Sequence, residues 1–160
     1  MTNTTPADII SALETTVTAL TPSGGTTVGT QSAYAVLEEQ GYSEDAEEVS
    51  DSDLDRQYVV QNVQPQDINI IGRSTHNQVT GTFELAIGHQ VAADYGAGRD
   101  RRDKDLQQIV QQVIHVNNRP AGVGVIRYKG MQSSITKQGQ FFWSVLTFEI
   151  VYYVLATYGS

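Results

Sequence analysis

The stretch from Phe141 to Thr157 constrains the fold more than any other part of the sequence. It reads FFWSVLTFEIVYYVLAT, and its β-branched and aromatic residues favour a strand. The strand predicted within it, of about 15 residues, is far longer than the usual strand of about 5–6. Both of its faces are largely apolar, whereas a strand with one face in water alternates with polar residues. We therefore predict that one face packs on the domain's own helices and the other against a second subunit.

Extended by one residue to Tyr158, this stretch is about long enough to cross a membrane as a helix. However, Glu149 lies in its middle, and Ser144 and Thr147 interrupt the apolar run. We therefore interpret it as a strand and expect no membrane contact. The N-terminus MTNTTPADII has no basic start before an apolar run, so we expect no secretory signal and synthesis in a cytoplasm.

Helical and strand patterns alternate along the rest of the chain. Thr5-Pro6-Ala7-Asp8 has the capping-box pattern that begins a helix. Gly96-Ala97-Gly98 is expected to break the chain before a second helix. The apolar stripe of the first helix is Ile10, Leu13, Val17 and Leu20, and that of the second is Leu106, Ile109, Val110, Val113 and Ile114. Strands are predicted at 57–61, 67–71 and 79–89, and residues 123–136 fit one strand or an interrupted pair. Residues 32–40 fit a short helix or a strand. No domain boundary is visible, so we predict a single domain over residues 1–160.

Residues suited to catalysis or metal binding do not form a recognisable motif. There is no Cys, which excludes disulfides, thiolate zinc sites, iron–sulfur clusters and thiol nucleophiles. Neither a phosphate-binding P-loop nor an HExxH zinc motif is present. His76, His89 and His115 fall in three different elements and are interpreted as turn, strand-end and helix-surface residues. We predict no catalytic residues, no metal and no cofactor.

Charge is strongly segregated along the chain. The formal net charge is −8 and the pI about 4.7, which argues against a protein that grips nucleic acid phosphates. All 10 basic residues lie at or after Arg56, whereas most of the 18 acidic residues precede it, chiefly between Glu38 and Asp55. This acidic loop at about 38–55 is consistent with a solvated surface loop. It is also consistent with a loop that faces a negatively charged polymer or docks on a basic neighbour.

The order of the elements resembles that of tail terminator proteins of long-tailed bacteriophages and related gene-transfer particles. An N-terminal helix and a variable loop precede the Arg56-Gln57-Tyr58-Val59-Val60 strand and a strand ending near Ile87. A helix of the form Asp105-Leu106-x-x-Ile109-Val110-x-x-Val113 follows, and the chain closes with the strand Leu146-Thr147-Phe148-Glu149-Ile150-Val151-Tyr152-Tyr153. The resemblance spans residues 6–20 and 56–157, and the acidic loop has no counterpart in it.

The resemblance implies an α+β fold with a mainly antiparallel sheet and helices packed on one face. It implies a structural virion protein, not an enzyme, located in the tail or neck. Its expected assembly is a homohexameric ring at the head-proximal end of the tail tube, which stops tube polymerisation. Its expected partners are the tail tube protein and the head–tail connector or stopper protein, and DNA passes through the lumen without specific binding.

Two groups of residues are candidates for contacts in such a ring. Apolar residues of the last strand and the basic run before the second helix are candidates for a subunit or tube interface: Trp143, Val145, Val151, Tyr153, Arg99, Arg101 and Arg102. If the chain forms a ring, an acidic wall would keep DNA from sticking as it moves. The channel-facing candidates are Glu44, Asp45, Glu47, Glu48, Asp51 and Asp53.

Two alternatives remain open. Another neck element, such as a head-closure, connector-adaptor or tail-completion protein, shares the size and the virion location. A small α+β enzyme or ligand-binding domain belongs to a different class. That alternative predicts a pocket with convergent polar groups and a titratable residue of perturbed pKa.

Overall fold

Helices and strands alternate in the computed structural model, which describes residues 4–25, 29, 31–37, 54–70, 76–136 and 139–155. In chain order the elements are α1 (Pro6–Thr18), β1 (Ala35–Val36), β2 (Gln57–Ile70), β3 (His76–Gln90), α2 (Tyr95–Ile114), β4 (Val123–Ile135) and β5 (Phe141–Leu155). A short 3-10 turn, Val116–Asn118, follows α2. The predicted α+β class is confirmed.

The strands form a sheet in the order β1-β2-β3-β5-β4. Among the described strands, β1 alone runs parallel to its neighbour, and the β2–β3, β3–β5 and β5–β4 pairs are antiparallel. The two strands predicted around Pro65 are one strand, β2, with a register shift between Val63 and Asp67. The stretch considered as a membrane span is strand β5, and no helix in the described ranges is long and apolar enough to cross a membrane.

Both helices pack on one face of the sheet, here called the helix face. The capping box of Thr5 and Asp8 starts α1 as predicted. Six apolar helix residues are buried against the sheet: Ile9, Leu13 and Val17 from α1, and Leu106, Ile109 and Val113 from α2. Of the residues predicted for the two stripes, Ile10, Leu20 and Val110 are only partly buried and Ile114 is exposed. Side chains that alternate along β3 and β5, such as Phe83, Leu85 and Phe148, complete this core.

Helix α2 starts earlier than the sequence predicted, because Gly96-Ala97-Gly98 lies inside its first turns. The carboxylate of Asp94 accepts the backbone N–H of Ala97 and caps the helix. A Cβ on Gly98 would lie 3.0 Å from the backbone nitrogen of Ala92. This glycine therefore serves close packing of the helix start on the end of β3 instead of ending a helix.

The opposite face of the sheet, here called the open face, is covered at one end by the chain itself. Leu54, Ala86, Phe141 and Trp143 form a second buried cluster there, with Leu37 packed against it. Gly88 of β3 lets this cover approach, because a Cβ at this position would collide with the carbonyl oxygen of Leu54. The backbone N–H of Arg56 donates to the Gly88 carbonyl at 2.7 Å, which fixes the crossing point.

We expect Gly88→Ala to lower the free energy of unfolding by about 1–3 kcal/mol, because the added methyl group meets backbone that cannot rotate away. Urea denaturation measures the change. Gly96→Ala is the control, since its Cβ would meet only the Asp94 carboxylate at 3.4 Å. An equal loss of stability in both variants would contradict the proposed close approach.

Candidate functional site: a buried charge cluster

Five titratable side chains meet in the interior, between the ends of β2 and β3 and the first half of α2. They are Asp55, Arg56, His89, Arg101 and Asp105, and each is at most 2% exposed. We call this group the charge cluster. Charged side chains are rarely buried unless they are paired, so their partners decide whether the site can be stable.

Two bidentate ion pairs cross between the strand segment and the helix. Arg101 donates to both carboxylate oxygens of Asp55 at 2.7 and 3.1 Å. Arg56 donates to both carboxylate oxygens of Asp105 at 2.7 and 3.1 Å. The neighbours Asp55 and Arg56 thus meet Arg101 and Asp105, which lie one helical turn apart on the same side of α2. Each charge is compensated by a paired group in the fork geometry that favours such pairs.

The backbone of Arg56 makes this arrangement possible. Adjacent side chains of an extended strand point to opposite faces, yet Asp55 and Arg56 both reach α2. Arg56 has a φ of +54°, in the left-handed region that non-glycine residues rarely adopt. This conformation costs about 1–2 kcal/mol, and the two buried ion pairs and the backbone bond to Gly88 hold it in place.

His89 adds a neutral donor to the cluster. Its Nε2 lies 2.9 Å from Asp105 Oδ2, and its Nδ1 has no hydrogen-bond partner within the described part of the chain. Burial lowers the pKa of His89 below its usual 6.5, so the ring is neutral near pH 7. Burial alone would raise the pKa of Asp105, but the hydrogen bonds from His89 and Arg56 lower it to about 2.

The charge cluster also fastens the connection between α1 and β1. The backbone N–H of Gly24 donates to Asp105 at 2.8 Å, and that of Gln31 donates to Asp55 at 2.9 Å. The carbonyl oxygen of Gln31 accepts from both Arg56 and Arg101. Gly24 and Gln31 are thereby held to the domain through their backbone groups, whereas Leu20 and Tyr34 near the two ends of the connection pack on the core.

The cluster resembles a His–Asp catalytic pair in composition but not in access. A general base must come within hydrogen-bond reach of a proton on the substrate. Here His89 and Asp105 are both 0% exposed, and the remaining carboxylate oxygen of the pair is occupied by Arg56 and Gly24. Within the described ranges, no group of three or more His, Cys, Asp or Glu side chains is placed to hold a metal ion. The geometry supports a structural role.

The three arginines predicted for an interface, Arg99, Arg101 and Arg102, lie in different environments. The assignment of Arg101 to a subunit contact is wrong, because its side chain is buried in the pair with Asp55. Arg99 is exposed and lies over the ring of Tyr95. Arg102 lies 4.6 Å from the ring centre of Phe142 and donates to Ser133. Arg99 and Arg102 remain candidates for an interface.

The second face of β5 needs less outside cover than the sequence suggested. Trp143 and Val151 are each 6% exposed, so both are buried within the subunit. Leu54 and Leu37 pack beside Trp143, and this cover from a distant loop was not visible in the sequence of β5. Val145 and Tyr153 are half-buried. The acidic candidates Glu44, Asp45, Glu47, Glu48, Asp51 and Asp53 lie outside the described residues.

One signal for the charge cluster is present in the sequence of α2. The apolar stripe of this helix contains Ile109 and Val113, and the same stripe continued towards the N-terminus passes through Asp105 and Arg101. Charged residues on a buried stripe must be paired. The alternating signs of residues 99–105 conceal this signal, because a nearly neutral basic and acidic run is also typical of an exposed segment.

Asp105→Asn is expected to lower the free energy of unfolding by about 3–5 kcal/mol, because it leaves the buried guanidinium of Arg56 without its counter-charge. Asp100→Asn makes the same change on the same helix, but in the part of the chain that the structure describes Asp100 pairs only with the exposed Lys104. The control should lose about 0–1 kcal/mol. Chemical denaturation of both variants checks the difference, and comparable losses would contradict a cluster that stabilises the fold.

Acidification should destabilise the protein through His89. Because the folded pKa lies below the unfolded 6.5, the unfolded chain takes up the proton first as the pH falls below 6.5. The contribution of the neutral His89 to the free energy of unfolding is therefore complete above pH 6.5. Below pH 6.5 it is lost at up to about 1.4 kcal/mol per pH unit. His89→Gln removes the titration but keeps a donor for Asp105, so its free energy of unfolding should fall less steeply between pH 6.5 and 5. Parallel slopes in the parent and the variant would contradict this assignment.

Comparison with models of known protein families found no match to this chain, and comparison with curated proteins found none either.

Proposed function

We propose that this chain is a structural virion protein, a tail terminator that forms a ring at the head-proximal end of a phage tail tube. The observation that carries the proposal is that the described sheet has two open edges. Within the described residues, β1 pairs only with the first two residues of β2, and β4 has a strand on one side alone. An open edge is a template for pairing with another chain.

Two different open edges favour a particular kind of assembly. When one edge of a subunit binds the other edge of the next, the contact is heterologous and gives a ring if the rotation closes. Following the element-order resemblance, the proposed ring is a homohexamer. Its action is geometric: one end complements the last ring of the tail tube, and the other end presents a platform for the head–tail connector or stopper protein.

The open face of the sheet is the side proposed to line the lumen, with the helices outside. Leu37 and Leu54, which flank the acidic residues in the sequence, both pack on this open face. The acidic residues from Glu44 to Asp53 therefore remain our candidates for the channel or its mouth. A duplex carries about one negative charge per 1.7 Å of its axis, so a wall of the same sign would let DNA pass without binding it.

The charge cluster gives little support to the alternative that this chain is an enzyme or a ligand-binding domain. That class requires titratable groups of perturbed pKa in a pocket that a ligand can enter. The perturbed pKa values of Asp55, His89 and Asp105 belong to side chains that are buried and engaged with one another. These residues act as buried ion-pair and hydrogen-bond partners that hold α2 to the start of β2.

Removing this gene from the genome of its particle is expected to give tail tubes longer than normal, because nothing stops their polymerisation. Purified protein added to growing tubes should restore a fixed length and appear as a ring at one tube end in electron micrographs. Deletion of the connector gene is the control and should leave tube length unchanged. Tubes of normal length that fail to join heads in the absence of this protein would instead indicate another neck protein.

A further inference from the structure

The helix layer does not cover the whole sheet. Tyr128, Met131 and Ile135 of β4 are 39%, 42% and 48% exposed. Their partners across β5 are Phe148, Leu146 and Phe142, which belong to the helix face, and directly paired residues share a face. These three β4 residues, here called the β4 strip, therefore lie on the apolar side of the sheet, where α2 covers them only in part and its Arg102 reaches Ser133.

A groove adjoins the strip on the side of α2. It has a volume of about 310 Å³ and apolar walls formed by Leu106, Val110, Tyr128 and Leu146. Its rim residues, Gln107 and Gln111, are polar but carry no charge, so they can be covered without burying an ion. Tyr128 belongs to both features, so the groove adjoins the strip along the open edge of β4, and Ser133 between Met131 and Ile135 is the polar point of this surface.

The chain itself carries an edge that complements this surface. Strands β2 and β5 run in the same direction, and β3 and β4 run in the opposite one. If copies stand side by side with their strands aligned, β4 of one meets β2 of the next in the antiparallel sense. On the helix side, α1 packs over β2, where Tyr58 donates to the carbonyl oxygen of Glu14 and bonds Thr18.

From this complementarity we infer that the β4 strip and its groove bind a second copy of this chain, with the neighbour's β2 along the edge of β4 and its α1 over the strip. The inference deepens the proposed function and rests on it. The exposed residues Ala7, Ser11 and Thr15 of α1 are small and one turn apart, so this helix can approach a strand closely. Pro65 and the register shift after Val63 restrict regular pairing on β2 to about Val59–Val63.

The first test is the paired substitution Met131→Glu with Ile135→Glu. Both side chains are exposed in the single subunit, so the unfolding midpoint should stay the same while association weakens by at least about 30-fold. Val116→Glu is the matched control, because Val116 is 63% exposed at the end of α2, away from the strip. Light scattering after size exclusion measures the assembly. Unchanged rings in the double variant, or equal loss in the control, would overturn the inference.

The second test is disulfide cross-linking, which the absence of native Cys makes clean. A variant with Thr15→Cys and Met131→Cys, oxidised at high concentration, should form a covalent ladder that ends at the ring size. Thr15→Cys with Val116→Cys is the control and should not. Absence of the ladder, or a dimer formed by Met131→Cys alone, would overturn the inference, the latter because it indicates a two-fold β4–β4 contact.

The same variants separate this inference from the proposed function. If rings cross-link through Thr15 and Met131 but do not limit tube length, the inference holds and the terminator function fails. If the Met131→Glu, Ile135→Glu variant still limits tube length through intact rings, the function holds and the inference fails.

Discussion

The fold depends on the crossed ion pairs of the charge cluster. Transferring an ion from water into the interior costs several kcal/mol, and four such charges come from two chain segments, while a third segment near Gln31 supplies backbone partners. Each is compensated only when α2, the start of β2 and the connection near Gln31 occupy one relative position. Any shift of the helix along the sheet would leave buried charges unpaired. The network therefore selects one arrangement of these segments, whatever its net contribution to stability.

Part of this structure was predictable because local rules act on local sequence. The capping box at Thr5, the stripe of α2 after Leu106 and the long β5 follow from hydrogen bonding, helical period and strand composition, and the structure has all three. The tail-terminator identity, the subunit contacts and the role of the acidic loop are predictions of a different kind, because they concern molecules beyond this chain.

The remaining features depend on contacts between residues far apart in sequence. The left-handed Arg56 is set by Gly88 and α2, and Gly98 is tolerated in a helix because it meets the end of β3. The cover of Trp143 comes from Leu54, which no periodicity within β5 could indicate. The α2 half of the charge cluster is indicated by the sequence, because the apolar stripe of the helix continues through Asp105 and Arg101. The other half, Asp55 and Arg56, could not be predicted, because both side chains face α2 only through the left-handed turn at Arg56.

The positions of the exposed β4 strip and of the open β2 edge indicate which symmetry the assembly would have. A two-fold contact between two β4 edges would also be antiparallel and would cover the strip, but it would end at a dimer and leave both β2 edges open. A head-to-tail contact engages both edges of every copy, which is the arrangement that closed rings use. Regular pairing with β2 ends at Pro65 and is short, so backbone hydrogen bonds alone give a weak contact. In the proposed contact, the apolar side chains of Tyr128, Met131 and Ile135 would supply the burial that such a short edge lacks.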